Sequence, residues 1–306
     1  MADPNPFQAD PTAIGGIAKP PYVQAPDPRR LFARRADRFG ALAPGHALAP
    51  YLDFLGAVAG IQANIADRLE VTPVASAQIE RARAAAMPPI DRRTLADDPD
   101  LSLVLDALFD AASTLDMPAP AQAALLAAKN ADAATLAGMA RNVLADAIPF
   151  DSLAAHLFIA AGTQVLAASV AATLDPKALS PVATGVCPAC GGPPLASVVV
   201  GFMGADGARY AVCACCAMQW NEVRVKCLAC GSTQGIGYRE AGDADEDATI
   251  KAEVCDICHS WLKILYQNRN PTLEPLADDI GSLGLDLLMH DTAYRRAGFN
   301  PYLLGY

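Results

Sequence analysis

The sequence CPACGG at residues 187–192 returns as CLACGS at 227–232, and each copy is followed by a second Cys-x-x-Cys, CACC at 213–216 and CDIC at 255–258. This repetition decides how the second half of the chain is read. Four pairs result, Cys187/Cys190, Cys213/Cys216, Cys227/Cys230 and Cys255/Cys258, separated by 22, 10 and 24 residues. Two cysteines spaced by two residues direct both thiolates at one metal from a tight turn, and two such turns complete a tetrahedral four-thiolate site. Gly191 and Gly231, each directly after a pair, suit a turn that needs unusual backbone angles.

The segments between the pairs suggest how they combine. ASVVVGFM, a GADG turn and ARYAVC read as one hairpin, while GIGYRE, the acidic loop AGDADED and ATIKAEVC read as a second. Trp220 and Trp261 each follow the second knuckle of a unit. The assignment is therefore two sites, Cys187/Cys190/Cys213/Cys216 and Cys227/Cys230/Cys255/Cys258, with a crossed pairing left open by spacing alone. Zinc and iron both accept four thiolates, so the residues do not choose the metal. Closed sites of this type usually hold small folds together. Structural zinc contributes about 10–16 kcal/mol of apparent folding energy in zinc-finger peptides.

Outward from this region the chain changes character. All nine cysteines lie between Cys187 and Cys258, leaving the first 186 of 306 residues without any. Residues 27–180 are alanine-rich and carry helical periodicity, as in Tyr51, Phe54, Leu55, Val58, Ile61 and Ile65. Asp27-Pro28 offers an N-cap and a first-turn proline, with Gly40 as the expected stop of that helix. Further helices are expected near 75–86, 101–115, 120–129, 132–147 and 152–174, with breaks at Pro88-Pro89, Pro118/Pro120 and Pro149. The expected architecture is an extended arm over 1–26 and an all-α helical bundle over 27–180. Two tandem rubredoxin-like or zinc-ribbon modules then occupy 185–224 and 225–268, and a C-terminal helix with its tail occupies 272–306.

Composition restricts the function. MADPNPFQAD lacks the basic and apolar regions of a signal peptide, so a cytoplasmic location is expected and a disulfide scaffold is disfavoured. The uncharged run Ala154 to Leu174 is diluted by His156, Thr163, Gln164, Ser169 and Thr173, and reads as a buried helix rather than a stable membrane insertion. A formal net charge of −10, with only nine Lys and Arg after residue 180, disfavours a nucleic-acid-binding zinc ribbon. No phosphate-binding loop or nucleophile triad emerges, so no catalytic residues are assigned.

Several further residues carry two readings. Cys215 is spare beside its site, as a neighbour of the ligands or as a thiol tuned for exchange. Arg29, Arg30, Arg34, Arg35 and Arg38 crowd the first helix, either as ion pairs and a solvated face or as a grip on an acidic partner. Asp278 and Asp279 are read as capping the last helix, and His259 as lying behind the thiolates or playing no part. Asp243, Asp245, Glu246 and Asp247 are read as a hairpin tip.

Together, CPACG at 187–191, CACCAMQW at 213–220, VRVKCLAC at 223–230, IKAEVCDIC at 250–258, LKILYQ at 262–267, ADDIGSLGLDLLM at 277–289 and NPYLL at 300–304 resemble the formate dehydrogenase accessory protein family, FdhE. LFARRADRFGALA at 31–43 and the helix beginning YLDFLGAVA extend the resemblance more loosely into the helical half, and Cys215 departs from it. The resemblance implies a non-catalytic cytoplasmic factor for maturation of respiratory formate dehydrogenase that binds the catalytic subunit. It also implies rubredoxin-like sites and favours iron over zinc. A redox or sulfur-handling protein acting on that enzyme's active site is the alternative. Self-association stays open.

Overall fold

The computed structural model describes residues 20–241 and 248–304. Most of the expected arm and the acidic hairpin tip at 243–247 lie outside the described residues. Val23–Gln24 forms β1, which pairs antiparallel with β4 (Gln219–Glu222).

The helical half contains α1 (Pro28–Leu42), α2 (Ala49–Arg68), α3 (Ser76–Ala84), α4 (Pro99–Ala112), α5 (Ala119–Lys129), α6 (Ala133–Leu144) and α7 (Leu153–Ala172). Asp27 caps α1 by accepting the Arg30 N–H at 3.4 Å. The helix does not stop at Gly40 as expected but runs on to Leu42, since neither contact nor backbone geometry at that glycine opposes a helix. α7 is the axis of the bundle. It is buried from Phe158 to Ala171, with α2, α4, α5 and α6 packed around it. A helix apolar all round needs burial, which the surrounding helices supply here. The same segment, Phe150–Ala172, is the one stretch among the described residues long and apolar enough to cross a membrane.

The second half, joined by β1, forms a single eight-stranded sheet, in the order β1-β4-β3-β2-β7-β6-β5 with β8 attached to β7. Its strands are β2 (Pro194–Val199), β3 (Arg209–Cys213), β5 (Ile236–Arg239), β6 (Ile250–Cys255), β7 (Ser260–Tyr266) and β8 (Arg295–Arg296), together with β1 and β4. Each expected hairpin is present, as β2–β3 and β5–β6. The two are fused by a parallel pairing of β2 with β7, Ser197 opposite Ile264 and Val199 opposite Tyr266. β2 is buried along its whole length, as expected of a strand covered on both faces. One core joins Phe39, Leu52 and Leu55 to Leu195, Tyr210, Leu276 and Ile280; another joins α4 and α7 to Cys187, Cys190 and Trp220.

The expected single helical stretch after residue 272 is two helices, α8 (Pro275–Gly281) and α9 (Leu283–His290), followed by β8. The break falls at Ser282, whose hydroxyl donates to the Asp278 carbonyl at 2.6 Å. Hydroxyl bonds back into the preceding turn compete with continued helix.

Candidate metal centres

All four knuckles repeat one backbone device. The residue immediately after each second cysteine is left-handed: Gly191 (φ 75°), Ala217 (φ 56°), Gly231 (φ 79°) and His259 (φ 53°). In the two glycine knuckles the bonding is duplicated. The Gly191 N–H donates to the Cys187 carbonyl at 2.9 Å and the Cys187 N–H to the Gly192 carbonyl at 3.0 Å; Gly231, Cys227 and Ser232 repeat this at 2.9 and 2.8 Å. The sequence betrayed this turn only where glycine occupies the left-handed position, because Ala217 and His259 pay its steric strain without any compositional sign.

These turns bring the eight cysteines into two clusters, Cys187/Cys190/Cys213/Cys216 and Cys227/Cys230/Cys255/Cys258, with the Sγ atoms of each within 4.8 Å of one another. Across the first, Cys187 lies 3.7 Å from Cys216 and Cys190 lies 3.5 Å from Cys213. Across the second, Cys227–Cys258 is 3.7 Å and Cys230–Cys255 is 3.8 Å. A metal with bonds of about 2.3 Å to four sulfurs sets tetrahedron edges of about 3.8 Å. A disulfide would need about 2.05 Å. The clusters are sequential rather than crossed, and each is compatible with one metal ion.

The thiols press toward the same conclusion. In the first cluster, hydrogen bonds to Cys187 and Cys213 push Cys190 well up, and bonds to Cys187, Cys190 and Cys213 do the same to Cys216. Cys213 is held well down: burial opposes ionisation, but bonds from Cys187, Cys190 and Cys216 outweigh it. In the second, burial also opposes ionisation of Cys227, yet the Ser260 hydroxyl and the Cys230 and Ala229 N–H groups bring it down to about 7. The Ala229 and Cys230 N–H groups donate to Cys227 Sγ at 3.3 and 3.5 Å. Cys230 rises to about 12 despite the Ser232 N–H, through partial desolvation and its sulfur neighbours Cys258, Cys227 and Cys255. A cluster that ionises one thiol at the expense of others is the donor set a divalent cation completes, releasing protons as it binds.

The surroundings differ. The first cluster is entirely buried, whereas Cys230 and Cys258 are exposed. Cys215 is buried beside the first cluster but belongs to neither, and bonding to Cys190 together with burial keeps its thiol well up. His259 also belongs to neither cluster.

Other polar groups bind the clusters into the fold. Arg209 on β3 donates to Glu253 on β6 at 2.8 Å, to Ser197 at 3.1 Å and to the Lys226 carbonyl at 2.9 Å, so one buried guanidinium ties together both hairpins and their linker. Arg35 reaches Glu274 at 3.3 Å and Arg38 clasps Asp278 at 2.6 Å, while Arg30 and Arg34 stand exposed. Asp278 does serve a cap, accepting the Glu274 N–H at 2.7 Å. Asp279 does not: it is buried against Lys263 at 3.2 Å, Arg296 at 2.6 Å and Asn300 at 2.8 Å. Arg209 and Lys263 carried no sequence signal because isolated cations within strand patterns announce no partner, and Arg296 carried none because its segment reads as helix or tail, not strand.

Comparison with known proteins agrees along nearly the whole chain. Family models described as "FdhE, N-terminal", "FdhE, central domain" and "FdhE, C-terminal domain" match residues 20–184, 186–224 and 225–303. A "Protein FdhE homolog" of Rhizobium meliloti (strain 1021) is 56% identical over 303 residues, 99% of each chain. A "Protein FdhE" of Escherichia coli (strain K12) is 34% identical over 286 residues, 92% of this chain and 91% of the relative. The crystal structure of the FdhE protein from Pseudomonas aeruginosa superposes with a TM-score of 0.83 at 31% identity, covering 94% of this chain and 99% of that one. With its two four-cysteine clusters and its helical first half, this chain belongs to the FdhE family.

Proposed function

We propose that the protein is a cytoplasmic accessory factor for maturation of a respiratory formate dehydrogenase, and that it binds the catalytic subunit through a surface held in shape by two metal ions. The observation that carries this reading is the pair of closed four-sulfur clusters on one continuous sheet. Four protein ligands leave no open coordination position, which is the arrangement of a metal that holds structure rather than one that activates water. Cys187, Cys190, Cys213 and Cys216 would hold one ion and Cys227, Cys230, Cys255 and Cys258 the other. Iron is favoured by family resemblance. The division into helical domain, two four-cysteine units and a C-terminal segment is part of the proposal.

The client-facing part is assigned to the second unit, where exposed Ile257 stands next to the exposed thiol of Cys258. The test is anaerobic purification of the tagged protein, with elemental analysis and identification of what accompanies it. Two metal equivalents and the catalytic subunit are expected. Retention of that subunit by a chain stripped of both metals would overturn the metal-held surface.

The exposure of Cys230 and Cys258 also favours a second reading, a redox or sulfur-handling role at the client's active site. A reversible thiolate–iron signal under anaerobic conditions would support it. Tightly held zinc with unreactive thiols would dismiss it.

A further inference from the structure

The segment joining α3 to α4 lies against the first knuckle. The Ile90 N–H donates to the Ala189 carbonyl at 3.0 Å, inside CPAC itself. Two residues on, the Arg92 guanidinium makes paired bonds to Asp146 at 2.8 and 3.0 Å, with its side chain only 12% exposed. Those bonds occupy the two terminal nitrogens; the buried Nε has no hydrogen-bond partner. Asp146, just beyond α6, is itself left-handed (φ 56°), so the carboxylate that orients Arg92 is presented from an unfavourable backbone angle.

Gly192 connects this guanidinium to the sulfurs. A Cβ on Gly192 would lie 3.2 Å from Cys213 Sγ, 3.4 Å from Cys190 Sγ and 3.5 Å from Arg92 Cζ. The absent methyl is therefore the single layer between a permanent cation and two of the four sulfurs. In the second unit the corresponding residue is Ser232, whose hydroxyl is engaged with the Gln234 carbonyl at 3.1 Å. Lys226 is the neighbouring cation there, but its ammonium is turned to Glu222 at 2.9 Å.

Electrostatics gives the asymmetry a purpose. A divalent ion with four thiolates carries two net negative charges. Solvent can compensate them where Cys230 and Cys258 are exposed, but not in the enclosed first cluster, where an uncompensated buried charge is costly. We propose that Arg92 is the charge-compensating residue of the first metal centre, a positioning residue supplied by the helical half through the opening that Gly192 leaves. Occupancy of this centre is thereby coupled to closure of the helical domain on the sheet. The inference rests on the metal-centre reading above.

The test uses the full chain loaded anaerobically with iron and titrated with dithionite, following each centre by its thiolate-to-iron absorption. Accepting an electron makes the ferric centre more negative by one charge, so loss of the nearby cation disfavours the ferrous state. R92Q should lower the midpoint of one centre by the equivalent of about a tenfold change in the ferrous/ferric balance, roughly 59 mV for one electron, and leave the other unchanged. R92K should restore most of the shift. D146N, which removes the opposing carboxylate and keeps the cation, should raise that midpoint and carries the test if R92Q fails to fold. With zinc in place of iron, R92Q should speed loss of one equivalent to a chelator by about tenfold, the effect expected of groups that support metal ligands. Midpoints and zinc loss in R92Q and D146N matching wild type, or shifting equally at both centres, would overturn the role of Arg92 alone. A wild-type chain binding neither iron nor zinc at these cysteines would overturn the metal reading and this inference with it.

Discussion

Cys187, Cys190, Cys213 and Cys216 are enclosed between the helical half and the sheet, whereas Cys230 and Cys258 of the repeated cluster face solvent. The knuckles are built alike, down to the left-handed residue after each second cysteine. What separates the two clusters is therefore their surroundings. The first shares a core with α4 and α7 and is touched by Ile90 and Arg92 of the helical half. The second reaches that core through Leu228, while its hairpin is held to the tail, with Tyr294 donating to Asp256 at 2.5 Å and Arg296 lying over Trp261. The repeated unit thus has an inward copy that shares the core of the helical half and an outward copy whose Cys230 and Cys258 are exposed.

The comparison is tested most severely by removing one ligand from each copy. Cys190→Ser should cost at least about 4 kcal/mol, the range reserved for loss of a metal or a core network. Cys230→Ser should cost clearly less, because water can reach the site it leaves. Thermal or urea unfolding of the metal-loaded proteins measures both. Equal losses would show that burial does not set the importance of a cluster.

Arg209 asks whether the copies are energetically one unit. It joins β3 of the first hairpin to β6 of the second, and removing it leaves the buried Glu253 carboxylate without its cation. Breaking a buried ion pair from one side costs about 3–5 kcal/mol. Arg209→Met should therefore destabilise by that amount while keeping a single unfolding transition. Two transitions would mean that the β2–β7 pairing does not couple the halves. A smaller effect is expected in chelator competition. The zinc-loaded protein should release one equivalent clearly faster than the other, with Cys258→Ser abolishing the fast phase, as elemental analysis over time would record.

How much of this could be read beforehand follows from the range of each interaction. The helices and both hairpins are local patterns, and the cysteine spacing announced the eight sulfurs that now cluster. The fusion of two hairpins into one sheet was not legible. It depends on Ser197–Val199 pairing with Ile264–Tyr266, a contact that leaves no periodic trace in either strand. The burial of one cluster and exposure of the other was equally hidden, because CPACGG and CLACGS differ only at Pro188/Leu228 and Gly192/Ser232. Nor could the adjacent acids Asp278 and Asp279 be told apart. Both fit a helix start, yet one caps and the other faces two cations from β7 and β8.

That pair of acids offers the smallest and most selective test of how the outward copy is anchored. Burial raises Asp278 above the ordinary aspartate value of 3.8, although Arg38 pulls the other way. Asp279 lies below that value: burial opposes ionisation, but Arg296, Lys263 and Asn300 outweigh it. The consequences for stability have opposite sign. A carboxyl lowered in the folded state stabilises the fold above pH 3.8, and this contribution is lost as acid titrates it through its folded value. A carboxyl raised in the folded state takes up protons preferentially on folding, so its ionisation detracts from stability as pH rises from 3.8 through its folded value. Each such proton changes the slope by at most about 1.4 kcal/mol per pH unit. Asp279→Asn should therefore flatten the acid limb of stability below pH 3.8, whereas Asp278→Asn should remove a decline above it. Urea titrations on either side of pH 3.8 measure both slopes. An acid limb unchanged in Asp279→Asn would mean that Lys263 and Arg296 are not what anchors the second cluster to the C-terminal helices.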